Sequence, residues 1–313
     1  MIKKTLHITN GHVLTDFLQE LDIKGDILTW QEMLCEGPAE ELIDSEAFFK
    51  NRKAFLNDFY DIEVNDDELK SEIQSLNHTE SYSEIVLWFE YDLFCHINLI
   101  AVISLLAQKN VQLPLYLVCS GRVEDEKDLK ALSELTPNQL LAHYHKKIKL
   151  KTEDIDLAKT LWTIYCGKDH NLFTPYVVKK SSFIYLSNCL KAHINRFPDS
   201  KTGLSALEQN ILEIIKKYPI KSRLHLLGYA LNYQGYYGYS DMQMMRLINQ
   251  LSIFFAENED SLKLNRKGYE ALLGHHNLAS ELNINMTFGG IQKTDYLYNA
   301  TENKLIKTII NAY

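Results

Sequence analysis

Ile85-Val86-Leu87-Trp88-Phe89-Glu90-Tyr91-Asp92 is the stretch whose reading decides the fold. The β-branched and aromatic run from Ile85 to Phe89 reads as a buried strand. It ends abruptly in two carboxylates. Leu93 to Ala107 then reads as a strongly apolar, buried helix. In an open α/β sheet, the junction of such a strand with its helix is where ligands bind.

Working outward, residues 5 to about 121 alternate between strand and helix patterns. Thr5 to Thr9 is a short strand. Asn10-Gly11 is a turn signal, and Val13, Leu14, Phe17, Leu18 and Leu21 carry helical spacing. Asp26 to Trp30 is a second strand. Residues 45 to 76 form an acidic, helix-rich stretch punctuated by Phe48, Phe49, Phe55, Leu56 and Phe59. Glu84 to Phe89 is the third strand, and Leu113 to Cys119 the fourth, closed by Ser120-Gly121. This order argues for a largely parallel sheet covered by helices with right-handed crossovers.

Residues 122 to 200 read as mostly helical. Thr136-Pro137 looks like an N-cap followed by Pro at the first helical position, and Phe197-Pro198-Asp199-Ser200 like a break. Ser205–Lys217, Arg223–Tyr233 and Ser240–Leu251 then read as three helices, with Ser240 as an N-cap. Residues 252–255 and 261–264 read as a hairpin around the polar turn Glu257-Asn258-Glu259-Asp260, and 266–273 as a closing helix. Three helices and a ribbon is winged-helix order. The expected fold is therefore α/β. It has an N-terminal parallel-sheet, Rossmann-like domain (1–125), a helical connector (126–200) and a C-terminal winged-helix-like domain (201–313).

The chain has 313 residues, 46% of them hydrophobic and 24% charged, enough for a sizeable core. A net charge of -8 argues against a dedicated nucleic-acid or anionic-membrane binder. Cys35, Cys95, Cys119, Cys166 and Cys189 are odd in number and never at C-x-x-C spacing, so they read as buried reduced thiols. Lys3 and Lys4 are not followed by a long apolar region, and no stretch reaches the roughly 18 apolar residues of a membrane span. No signal peptide and no membrane segment are expected, and the cytoplasm is the expected location.

The site expectation is positional. Each strand ends in residues able to bind or react: Asn10, Gly11 and His12; then Trp30, Glu32, Glu36, Gly37 and Pro38; then Glu90 and Asp92; then Ser120 and Gly121. In a parallel sheet all of these gather at the carboxyl edge. The amides opening the helix after Gly11 can hold an anion. Neither a Gly-rich dinucleotide loop nor a Walker loop is present. Glu90 and Asp92, two apart, point the same way in strand geometry. Two carboxylates in one pocket raise one pKa and permit acid/base work. With Glu36 they could instead hold a divalent ion such as magnesium. The structural alternative makes Asp92 a helix cap and pairs Glu90 with a cation such as Arg52. Asp92 and His96 share a helix face and form either a catalytic or a structural pair. His12, in the first turn, reads as a surface histidine, and His143, His145, His275 and His276 lack further ligands at metal spacing. Tyr229, Tyr233, Tyr236, Tyr237 and Tyr239 read better as packing than as a stacking platform for bases.

These pieces resemble the bacterial "domain of unknown function 1835" family. The resemblance rests on His7-Ile8-Thr9-Asn10-Gly11, Leu28-Thr29-Trp30 through Glu36-Gly37-Pro38, and Arg52 with Phe55-Leu56. It continues through Leu87–Leu93 and Leu117-Val118-Cys119. Gly203-Leu204-Ser205, Leu262 to Gly268 and Phe288-Gly289-Gly290 are also similar. The family's usual first turn is Asn-Gly-Asp-Ser, where this chain has His12 and Val13, and a frequent Gln is His96 here. The resemblance implies no particular activity.

Three functions are open at this point. The first is an enzyme or enzyme-derived domain for a small anionic or nucleotide-like ligand. Asn10, Gly11, Trp30, Gly37, Arg52 and Ser120 would bind, while Glu36, Glu90 and Asp92 act as acid/base groups. The second is a ligand-sensing transcriptional regulator, weakened because the candidate recognition helix carries one cation, Arg246, and the wing carries Glu257, Glu259 and Asp260. The third is a non-catalytic adaptor.

Overall fold

Why the central strand is central follows from its pleat. Ile85, Leu87 and Phe89 are buried in one apolar cluster, while Val86 and Trp88 are buried in another on the opposite face. A strand apolar on both faces needs helices on both sides. The computed structural model describes residues 3–123, 126–282 and 285–308, and only the backbone of Asp66. The expected boundary at residue 125, and Met1-Ile2 of the amino terminus, lie outside the described residues.

In chain order the first part comprises β1 (Lys4–Asn10), α1 (His12–Glu20), β2 (Asp26–Trp30), β3 (Gly37–Pro38), α2 (Glu46–Tyr60), α3 (Asp66–Ser75), β4 (Tyr82–Phe89), α4 (Leu93–Gln108) and β5 (Leu115–Cys119). Next come α5 (Pro137–His145), β6 (Ile148–Lys149), α6 (Thr152–Cys166) and α7 (Leu186–Ile194). Then follow α8 (Ala206–Lys217), α9 (Arg223–Asn232), α10 (Asp241–Gln250), the hairpin β7 (Phe255–Asn258) and β8 (Ser261–Leu264), and α11 (Arg266–Leu273). The last elements are β9 (Thr287–Gly289), β10 (Ile291–Gln292), β11 (Tyr296–Asn299) and β12 (Lys304–Lys307).

The protein is a mixed α/β structure. The main sheet has strand order β2-β1-β4-β5-β6. Its first four strands are parallel, and β6 adds an antiparallel edge. The chain order reverses between β1 and β4. α1 and α5 cover the Val86/Trp88 face with Leu14, Leu18 and Leu140. On the other face α4 is buried along nearly its whole length, from Leu93 to Leu106, and packs against α6 and α7. A helix apolar all round must be buried this way. Asp92 starts it, accepting the Cys95 amide at 2.8 Å.

Several local readings survive in detail. Thr136 caps α5 with Pro137 inside the first turn, and Ser240 forms a capping box with Gln243. The hairpin differs: its first strand is 255–258 rather than 252–255. Leu251 and Phe254 are both buried, and a 3-10 turn over Leu251–Phe254 achieves this where a strand would expose one of them. Two features were not expected. β6 joins the main sheet, and β3 pairs in parallel with β9, placing Gly37 opposite Phe288. The larger buried cluster runs without interruption from Leu6 to Leu305. Among the described residues no helix is long and apolar enough to cross a membrane.

Candidate functional site

The strand ends gather as the topology requires, but the side chains divide into three groups. The first is the acidic pair. Glu90 accepts the Leu132 amide at 2.9 Å, which ties it to the 3-10 turn at Leu132–Glu134. Asp92 caps α4 and is 8% exposed. Burial pushes the Glu90 carboxyl up to about 7, with the charge of Asp92 adding to it, and burial pushes Asp92 up to about 6. Arg52 does not pair with Glu90. Donor atoms of Glu90, Asp92 and Cys95 lie within 4.8 Å of one another. Glu36 is not in that group, so the expected magnesium triad of Glu36, Glu90 and Asp92 does not form.

Asn10 turns inward at this point. Its amide nitrogen donates to Cys95 Sγ at 3.0 Å, and its oxygen accepts from Asn98 at 2.8 Å. Asn98 also accepts from the Leu34 amide at 3.2 Å, so one asparagine pins the 32–35 loop to the end of β1. His96 donates from its ring to the Asp92 backbone carbonyl at 2.9 Å, not to the Asp92 carboxylate. Burial holds that imidazole down to about 4, so it is neutral. The Asp92–His96 catalytic reading fails on this geometry. Ser120 is 1% exposed, and its hydroxyl has no partner among the described residues.

The acidic pair is roofed by the C-terminal part of the chain. The carbonyls of Tyr236 and Tyr237 accept the Leu93 and Phe94 amides at 2.8 and 3.3 Å. These two carbonyls thus take up the first amides of α4, which would otherwise face an anion. Gly238, at φ +66°, lies against the Asp92 carboxylate. The tyrosine run is split by role. Tyr236 and Tyr237 belong to this roof, Tyr239 meets Arg196 at 3.4 Å, and Tyr229 and Tyr233 pack against Tyr218, with ring centroids 4.9 and 5.9 Å from it.

The second group is structural. Arg52, expected to meet a ligand, is 1% exposed and fully engaged. It pairs with Glu32 at 3.0 Å and donates to the carbonyls of Met33, Glu36 and Pro38 at 3.0, 2.7 and 3.2 Å. Glu36, expected to be catalytic, receives Arg246 of α10 at 2.7 Å and the Tyr60 hydroxyl. Burial would raise the Glu36 carboxyl, but Arg246, Tyr60 and Gln243 outweigh it and hold it below its ordinary value. Gly37 leaves no room for a ligand: a Cβ there would meet the Phe55 ring at 2.4 Å and Arg52 at 2.5 Å. These three residues lock the 32–38 loop in place.

The third group is open. A cleft of about 470 Å³ lies at the carboxyl ends of β1 and β2. Asn10, Gly11 and Trp30 line it as expected, and a Cβ on Gly11 would meet nothing within 4 Å. Sequence reasoning missed the opposite wall, which is Leu69, Glu68 and Glu72 of α3, with Phe94 and Met242. Glu68 and Glu72 are one turn apart on a helix whose Leu69 and Ile73 face the core, and that spacing was the available signal. Burial and the neighbouring Glu68 push Glu72 up to about 7. Among the described residues lining the cleft there is no Lys or Arg. A wider groove of about 770 Å³ carries Lys50 and Lys53 of α2 and Lys70 of α3, and shares Ile62, Glu63 and Val64 with the cleft.

No protein-family model matches this chain, and no curated protein matches it.

Proposed function

We propose that this protein binds a small molecule in the cleft at the carboxyl ends of β1 and β2, and that the ligand has an apolar body and a cationic or N–H-rich end. One observation carries the reading: Glu68 and Glu72 face the cleft with no Lys or Arg among its described lining residues. A positive group would relieve their mutual repulsion, while Trp30, Met33, Leu69 and Phe94 supply apolar contact. A phosphate would meet Glu63, Glu68 and Glu72, so the anionic or nucleotide-like ligand expected from the sequence gives way to an amine or nucleoside-like one. Glu72, with its carboxyl near 7, is one group in the cleft, beside the His12 imidazole, able to exchange a proton at neutral pH.

The main sheet is read as Rossmann-like, supported by the reversal of strand order between β1 and β4 and by a cleft at the strand ends. α8 to α10 with the β7–β8 hairpin are read as a winged-helix-like unit that serves internal packing. Arg246, the cation of α10, is held by Glu36, which supports internal packing over DNA reading.

The test is a thermal-shift screen of amines and nucleosides beside nucleotides and sugar phosphates, repeated on Glu72→Gln and on Met242→Trp, which fills the mouth. The expected result is stabilisation by members of the first set, reduced in both variants. Stabilisation confined to the phosphorylated set, or unchanged in both variants, would refute the reading.

A further inference from the structure

We propose that Glu90, Asp92 and Cys95 bind one divalent transition-metal ion of the zinc class beneath the roof formed by Tyr236 to Gly238. This site is separate from the open cleft and stands whether or not the cleft binds a small molecule.

The donor set comes from one short stretch. β4 ends at Phe89, Glu90 follows it, Asp92 caps α4, and Cys95 lies in the first turn of that helix. One donor atom from each lies within 4.8 Å of the others. Bond lengths of about 2.0–2.3 Å in a tetrahedron put neighbouring donors roughly 3.3–3.8 Å apart, so the set closes on an ion by moving about 1 Å. Bound to an ion, the two carboxylates and the Cys95 thiolate would bring three negative charges to a place where Asp92 and Cys95 are buried and Glu90 is half-buried. The ion pairs formed among the described residues include neither Glu90 nor Asp92. A buried and a half-buried carboxylate without a paired cation are an arrangement that metal coordination resolves. The mixture of one sulfur with two oxygens selects a borderline ion such as zinc over magnesium, which takes oxygen alone.

Each donor is also held from behind. The Leu132 amide holds Glu90 at 2.9 Å, the Cys95 amide holds Asp92 at 2.8 Å, and the Asn10 amide group holds Cys95 Sγ at 3.0 Å. Metal centres orient their ligands by such outer hydrogen bonds. A further observation comes from the next strand. Phe89 pairs with Cys119 at the carboxyl ends of β4 and β5, and Glu90 and Ser120 are the next residues of those two strands. The Ser120 hydroxyl is buried and has no partner among the described residues, as expected of a group that faces a fourth position. Three protein donors and one such position describe an open site rather than a closed structural one.

The test uses the full chain, stripped of metal with a chelator and titrated with cobalt(II). The expected result is one cobalt per chain with a thiolate-to-metal charge-transfer band, displaced by zinc. Cys95→Ser abolishes the band, Glu90→Gln weakens affinity at least about 10-fold, and Cys119→Ser leaves the band intact. Circular dichroism checks that each variant is folded. Should Cys95→Ser not fold, X-ray absorption of the zinc-loaded wild-type chain decides, and one sulfur among the ligands is expected. Absence of stoichiometric binding, a band that survives Cys95→Ser or is lost in Cys119→Ser, or a sulfur count other than one would overturn the proposal.

Discussion

Gly238 rests directly on Asp92: a Cβ built on Gly238 would lie 2.1 Å from the Asp92 carboxyl carbon. The two residues are far apart in sequence, and their contact closes the roof over the end of β4. Gly238→Ala therefore forces both an unfavourable φ and a displaced carboxylate. Its expected cost is about 2–4 kcal/mol in urea unfolding. Gly235 has nearly the same φ, +65°, with nothing within 4 Å of a Cβ, so Gly235→Ala is expected to cost only about 1–2 kcal/mol. Equal losses at the two positions would contradict the contact.

The Glu36–Arg246 pair joins the 32–38 loop to α10, with Glu36 1% exposed at its side chain. Removing one partner leaves a buried charge uncompensated. Arg246→Met is expected to destabilise by about 3–5 kcal/mol, and Glu36→Gln with Arg246→Met to recover a good part of that loss. Chemical denaturation of the two single variants and the double variant checks this. Additive losses would show that the two side chains do not act as a pair.

The acidic pair makes the metal-free protein pH-dependent in a definite direction. Burial raises Glu90 from an ordinary 4.5 to about 7, so the folded state binds that proton more tightly. Stability from this group is greatest below about 4.5 and falls as pH rises towards 7. Asp92, raised to about 6, acts in the same sense. The buried imidazoles of His96 and His170, held down to about 4, act in the opposite sense as pH falls below 6.5. Glu90→Gln isolates one contribution, because Gln still accepts the Leu132 amide. In chelator, the variant is expected to gain on the wild type as pH rises from 4.5 to 7, by up to about 3 kcal/mol at pH 8. A stability difference that does not change with pH would refute this.

How much of this was legible depends on range. The pleat of Ile85 to Phe89, the apolar α4, and the caps at Asp92, Thr136 and Ser240 are local signals, and each appears where the sequence placed it. Asn10, Gly11 and Trp30 were legible as strand-end residues for the same reason. The partners of Glu36 and Arg52 were not. A charge at a strand end reads identically whether a ligand or Arg246 meets it, and no periodicity links residues 210 positions apart. Nothing near Gly238 in sequence records the Asp92 carboxylate it rests on. Cys95 was read only as a buried thiol, since its closeness to Glu90 depends on how the chain turns from β4 into α4. β6 is two exposed residues, too short to carry a pattern.

The most direct measurement follows the three tryptophan indole N–H signals in a ¹⁵N-correlated spectrum. Trp88 Nε1 donates to His7 at 3.1 Å and Trp162 Nε1 to the Glu41 carbonyl at 3.0 Å. Trp30 lines the cleft, and its Nε1 has no partner among the described residues. Trp30→Phe assigns its signal. An amine or nucleoside-like ligand that stabilises the fold is expected to shift the Trp30 signal and to leave Trp88 and Trp162 in place. A stabilising ligand that leaves Trp30 unmoved would contradict this expectation.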